Sequence, residues 1–272
     1  MTNPVFNNSP VFGDPRGKGR GGPATTQAPA WGTATTDAAT LEQMYDAPTA
    51  TSRDTGRLTY DDVIVKTGGL LALLVVVAAA TWMVAPQLWI VGAVVGLVLG
   101  LVNAFKKNPS PVLITLYAAA QGVFLGGISA IYESFENGIV GQAVLATLCV
   151  FAVSLFLFRS GKVRVTPKFR RIVLVAMVGY LAYSLVNLVL MLFGVGGDGF
   201  GPLRAGPLGI VVGLFAVGLA AMSLVMDFDS IKRGVEAGVP AKFAWSAAFG
   251  LVVTLVWLYL EFLRLLAILR GD

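Results

Sequence analysis

Long runs without a single charged side chain decide what this chain can fold into. From Thr67 to Phe105 there are 39 such residues, interrupted near the middle by Ala85-Pro86-Gln87. Further runs cover Asn108–Tyr132, Asn137–Phe158, Ile172–Gly197, Ala205–Met226 and Phe243–Leu260, with lengths of 25, 22, 26, 22 and 18 residues. About 20 apolar residues in a helix cross the hydrocarbon layer of a bilayer. The first run therefore makes two spans joined by a proline turn, and each of the others makes one. Stretches such as Leu70–Ala80 and Ile90–Leu101 are continuously apolar, whereas barrel strands alternate over roughly 10 residues. A helix also satisfies its backbone hydrogen bonds within one segment. The expected fold is all-α, a polytopic bundle of seven transmembrane helices. Glu261 and Arg264 interrupt the last span before the apolar Leu265–Leu269, so crossing and re-entry are both open for it.

The same composition narrows the chemistry. Charged residues make up 13% of the chain, about half the share that coats an ordinary soluble domain. Histidine is absent, which removes the commonest metal ligand and the commonest acid/base group at neutral pH. Cys149 is the single cysteine, excluding an intrachain disulfide and a cysteine zinc cage. A serine-histidine site is impossible. The chain is read as a non-enzyme without a cofactor.

Lys and Arg set the expected orientation. The segment before helix one, together with the two-to-three, four-to-five and six-to-seven connections, holds 17 of the 20 basic residues. The alternate set holds Arg204, Arg264 and Arg270. The positive-inside rule then puts the N-terminus in the cytoplasm and, with seven spans, the C-terminus outside. The net charge of +5 is spread over short loops facing one leaflet, which suits anionic lipid and argues against nucleic acid.

Residues 1–60 differ in composition. Asp14–Trp31 is rich in Gly, Pro, Arg and Thr, and Thr33–Thr55 is mostly Ala, Thr and Asp. With few apolar anchors this tail is expected to be disordered, apart from a short helical turn around Leu41–Tyr45. The chain is thus divided into a cytoplasmic tail, 1–60, and a membrane domain, 61–270. No apolar signal-peptide core precedes residue 60, so helix one serves as the uncleaved targeting signal. Within the spans, Gly92, Gly96 and Gly100 repeat every fourth residue, as do Gly122 and Gly126, and Gly209 and Gly213. Such spacing brings helix backbones close in lipid, and packing within the bundle is favoured over a dimer interface.

The acidic residues of the last two spans stand out, because an ionisable group at membrane depth costs at least about 2.5–3.5 kcal/mol and marks function. Asp227 and Asp229 close helix six, and Glu261 lies in Trp257-Leu258-Tyr259-Leu260-Glu261. Structural readings exist for each. The aspartates can be hydrated at the interface beside Lys232 and Arg233, and Glu261 can be bridged by its ion-pair partner Arg264 at i,i+3. The functional reading brings Asp227 or Asp229 close to Glu261. Two carboxylates in a low-dielectric site share a proton, and when deprotonated they offer oxygen ligands to Ca²⁺.

Several segments resemble the Bax inhibitor-1/YccA-like membrane proteins in their actinobacterial form. They are Thr59-Tyr60-Asp61-Asp62-Val63-Ile64, the helix-three stretch Leu116–Ser129, Gln142–Thr147, the basic loop Arg159–Arg171, and the closing segments with the two aspartates and Glu261. The resemblance covers about residues 59–270. It implies a seven-helix bundle with the last helix near its centre. It also implies a pH-sensitive calcium leak in the bacterial cytoplasmic membrane, gated by acids on helices six and seven. On this chain those acids are Asp227 or Asp229 and Glu261, with Ca²⁺ as the transported ion. This sequence has Glu at 261 in place of Asp, Gln121 where many relatives carry an acid, and no basic residue between Pro86 and Phe105. The alternative function is a non-transporting regulator of a membrane protease or stress response, docking a membrane protein partner through its tail. Oligomeric state is left open.

Overall fold

The computed structural model describes residues 56–161, 165–195 and 201–271. Most of the tail, and with it the expectation of a helical turn around Leu41–Tyr45, lies outside the described residues. Seven long helices follow: α1 (Tyr60–Val84), α2 (Trp89–Phe105), α3 (Pro111–Phe135), α4 (Ile139–Arg159), α5 (Pro167–Leu192), α6 (Gly206–Glu236) and α7 (Ala244–Arg270). Each of these segments, α2 and α7 taken with the short turns that precede them, is long and apolar enough to cross a membrane. The protein is a multi-pass, all-α membrane protein. The proline turn expected between the first two spans is a single 3₁₀ turn at Pro86–Leu88. The last helix runs unbroken for 27 residues through Glu261 and Arg264.

Local sequence explains where the helices start. Thr59 caps α1: its hydroxyl oxygen accepts the Asp62 backbone N–H at 3.1 Å and donates to the Asp62 carboxylate at 2.7 Å. Thr59 is thus an N-cap whose hydroxyl also ties down the Asp62 side chain, and Asp61 and Asp62 put negative charge in the first turn of the helix. Thr166 caps α5 through the Phe169 N–H, with Pro167 at the first helical position, where its missing N–H costs nothing. Residues just before α1 are also held. Leu58 is buried, its N–H donates to Val239 O at 2.7 Å, and Gly56 O accepts from Ala241 N at 2.8 Å. The end of the segment read as tail therefore straps the α6–α7 connection.

The layering places α7 at the centre. Of its apolar window 67% is buried, against 11% for the spans of α2 and α5. Ala248, Val252, Val256, Tyr259 and Leu263 join Leu70 and Leu74 of α1 and Tyr117 and Leu125 of α3 in one core. On its other side α7 meets α6 through Leu251, Leu255 and Leu258 packed on Leu224 and Phe228. The outer helices present apolar side chains such as Val175, Val178 and Leu181 outward, as lipid-facing surfaces do. The repeated glycines serve the bundle itself. A Cβ at Gly92 would lie 2.5 Å from Phe124 N of α3, and one at Gly126 would overlap the Ala78 carbonyl of α1. Helix backbones touch at those points, as small residues permit in lipid.

Candidate functional site

The seam between α6 and α7 carries the acidic residues, and helical geometry separates them. Asp227 and Asp229 are two residues apart, about 200° around a 3.6-residue helix, so they cannot face one neighbour. Asp227 turns toward α7, where the Thr254 hydroxyl donates to its Oδ2 at 2.8 Å. Among the described residues it has no basic partner within ion-pair distance. Asp229 turns toward α5 and the solvated end of α6: Arg233 Nη2 lies 2.7 Å from Oδ2 and Arg170 Nη2 3.7 Å. The interface reading placed Lys232 beside the aspartates; Lys232 pairs instead with Glu236.

Glu261 sits two turns beyond Thr254 on α7, about 10 Å further along the axis. It is 5% exposed, as is Arg264. One carboxylate oxygen, Oε2, is paired with Arg264 Nη2. The other, Oε1, accepts from the Tyr180 hydroxyl of α5 and from Trp257 Nε1, the latter at 3.2 Å. The i,i+3 bridge is therefore formed, and it is one bond of a larger network. Gly213 of α6 admits it: a Cβ there would stand 3.0 Å from Leu265 Cδ1 and 3.6 Å from Arg264 Nη2.

A residue assigned only to a loop completes the network. The α5–α6 connection folds back along α5, with Leu203 N bonded to Asn187 Oδ1 at 3.0 Å and Leu203 O accepting from the Tyr183 hydroxyl. This carries Arg204 inward, where Nη2 donates to the Tyr180 hydroxyl at 2.7 Å and also to the Ser184 hydroxyl. Its guanidinium lies 5.1 Å from the centre of the Tyr180 ring, within cation–π range. The sequence held one signal for this, since Arg204 is the lone basic residue of its connection. Trp257 was legible too, four residues before Glu261 on the same helix face. Nothing in the sequence pointed to Tyr180 or to the Thr254–Asp227 contact.

The structure thus does not bring Asp227 or Asp229 beside Glu261. The expected shared-proton pair is replaced by separate arrangements with separate partners, because Thr254 and Arg264 occupy the places a second carboxylate would need. A Ca²⁺ site made jointly by Asp227, Asp229 and Glu261 is likewise not assembled, and among the described residues no three acidic or cysteine side chains gather around a metal-sized space.

One comparison with known proteins extends over nearly the whole length: the family model described as Bax inhibitor 1 like covers residues 3–271. The chain belongs to this family. No curated protein matches it as a relative. Burial gives the helix-three stretch a structural role. Tyr117, Gln121, Gly122 and Gly126 are buried where α3 meets α1, α2 and α7, and Ser129 hydrogen-bonds the Tyr259 hydroxyl of α7 at 2.7 Å. In this member of the Bax inhibitor 1 like family, the polar core divides into a hydroxyl-bonded aspartate near one end of the seam and a carboxylate–arginine network further along it.

Proposed function

We propose that this protein is a gated cation leak of the bacterial cytoplasmic membrane, with Ca²⁺ as the transported ion, its N-terminus in the cytoplasm and the strongly basic end of the bundle facing inward. The observation that carries the reading is Asp227: a half-buried carboxylate on the α6–α7 seam, held by one hydroxyl and by no basic side chain among the described residues. A carboxylate left with an unneutralised charge inside a bundle attracts a cation, and its oxygens suit Ca²⁺. Further along the seam the Glu261–Arg264 pair and Arg204 tie α7 to α5 and to the α5–α6 connection through Tyr180, and this locked network is read as the closed gate. Protonation acts on the two carboxylates in opposite senses. A proton on Glu261 frees Arg264 and loosens the gate, whereas a proton on Asp227 removes the cation's ligand.

Ca²⁺ entry into proteoliposomes loaded with an indicator dye tests this. Asp227→Asn should lower the flux, and Glu261→Gln, which mimics the protonated gate, should raise it and flatten its dependence on pH. Flux unchanged by Asp227→Asn would overturn the proposal.

A further inference from the structure

A cavity of about 450 Å³ opens beside the network, with Trp89, Phe124 and Ile128 of α2 and α3 on one side, Tyr180, Leu181 and Ser184 of α5 on the other, and Glu261 and Arg264 of α7 between them. Its size falls in the range of ligand sites. Its charge does not balance. Arg264 and Arg204 bring two positive charges, Glu261 one negative. Both Glu261 oxygens are already engaged, by Arg264 on one side and by Tyr180 and Trp257 on the other. Arg264 Nε and Nη1 and Arg204 Nε remain, buried and without a hydrogen-bond partner. Leaving guanidinium N–H groups unpaired away from water is costly, so these donors point to an acceptor that comes from outside the chain.

We infer that this cavity binds the headgroup of an anionic phospholipid, whose phosphodiester balances the excess charge of Arg264 and Arg204 and draws their free donors toward it, while an acyl chain lies along the aromatic and aliphatic wall. One net positive charge suits one phosphodiester, and guanidinium groups bind phosphate oxygens in a forked geometry. A zwitterionic headgroup would bring its own cation up to Arg204. Lipid, not a free anion, is indicated by the setting. Glu261 lies nine residues from the end of α7, about 14 Å along the helix. The α5 wall carries Leu181, 68% exposed on the lipid-facing surface. α5 packs along α6 and touches α7 through Tyr180, while no comparable packing ties it to α2 or α3 among the described residues, which leaves that side for lateral entry.

Retention of lipid by the purified full-length protein tests the inference by a readout that involves no ion flux, so it can fail or succeed independently of the leak. By native mass spectrometry the protein should keep one phosphatidylglycerol in preference to phosphatidylcholine. Arg204→Gln should weaken that retention on the order of tenfold, as expected for one charge-assisted contact, and Arg204→Lys should restore part of it. Leu181→Trp, at an exposed position that does not bear on folding, should also weaken retention by crowding the mouth. Equal retention of the two lipids, or retention indifferent to both Arg204→Gln and Leu181→Trp, would overturn the assignment. So would inorganic phosphate raising the melting temperature as much as phosphatidylglycerol does, since that outcome assigns the donors to a free anion.

Discussion

Asp229 and Glu261 are both acids bridged to an arginine on their own helix, one at i,i+4 and the other at i,i+3, and they live in opposite surroundings. The partners of Asp229, Arg233 and Arg170, are 47% and 43% exposed in their side chains, whereas Arg264 is 7% exposed. Spacing along the chain makes the two pairs look alike. Solvation makes them different objects: one is a charge cluster with half-exposed arginines, the other a buried network joined by shared hydrogen bonds. Asp227 is intermediate, enclosed by the seam and held by a hydroxyl.

The largest expected effect comes from halving the buried pair. Arg264→Met leaves Glu261 charged in the bundle without its cation, a change that costs about 3–5 kcal/mol in comparable buried pairs. Unfolding in mild detergent, followed by circular dichroism, should show that loss. The double variant Glu261→Leu/Arg264→Met should recover most of it, because no orphaned carboxylate remains. A single variant as stable as wild type would erase the contrast between the two regions.

Next in size is the aspartate that has only a hydroxyl. Thr254→Val keeps the shape and removes the hydrogen bond to a charged acceptor, worth roughly 1.5–3 kcal/mol. Thr254→Ser should restore most of the loss, since it can donate to Asp227 Oδ2 in the same way. Equal losses for Val and Ser would assign the effect to packing of the threonine methyl and not to the bond. Comparable is Tyr180→Phe. It removes the hydroxyl that links Arg204 to Glu261, again a bond to charged groups worth roughly 1.5–3 kcal/mol, and it leaves the Glu261–Arg264 pair in place.

How much of this was legible beforehand depends on the kind of interaction. Seven spans, the proline turn and the central role of close-packing glycines follow from local composition, because in lipid the backbone has few alternatives. The Glu261–Arg264 bridge was readable because i and i+3 meet on any helix. Pairings between helices were not. Asp227 and Asp229 look equivalent in Met226-Asp227-Phe228-Asp229-Ser230, and only the rotation of α6 against α7 and α5 tells which one meets Thr254 and which meets Arg170. The same holds for Arg204. Charge counting placed it in an outer loop, but the loop's hydrogen bonds to Asn187 and Tyr183 draw it down to Tyr180, a tertiary arrangement that no period in the sequence announces.

The smallest expected effect is the most useful for sharpening the comparison. Asp229→Asn removes a carboxylate that is 17% exposed itself but is met by two guanidinium groups that are nearly half exposed, and ion pairs open to solvent contribute about 0–1 kcal/mol. Stability should therefore fall by about 1 kcal/mol or less. Salt then separates this region from the buried one. Raising the ionic strength from 0.1 M to 1 M shortens the Debye length from about 10 Å to about 3 Å, which weakens the attraction of Asp229 for Arg170, 3.7 Å away, and for the other basic groups at that end, but does not reach inside the bundle. In 1 M salt the difference between wild type and Asp229→Asn should shrink, while the difference between wild type and Arg264→Met persists. A loss at Asp229 that high salt leaves undiminished would mean that its charge is held as tightly as that of Glu261, and the two ends of the seam would then share one electrostatic environment.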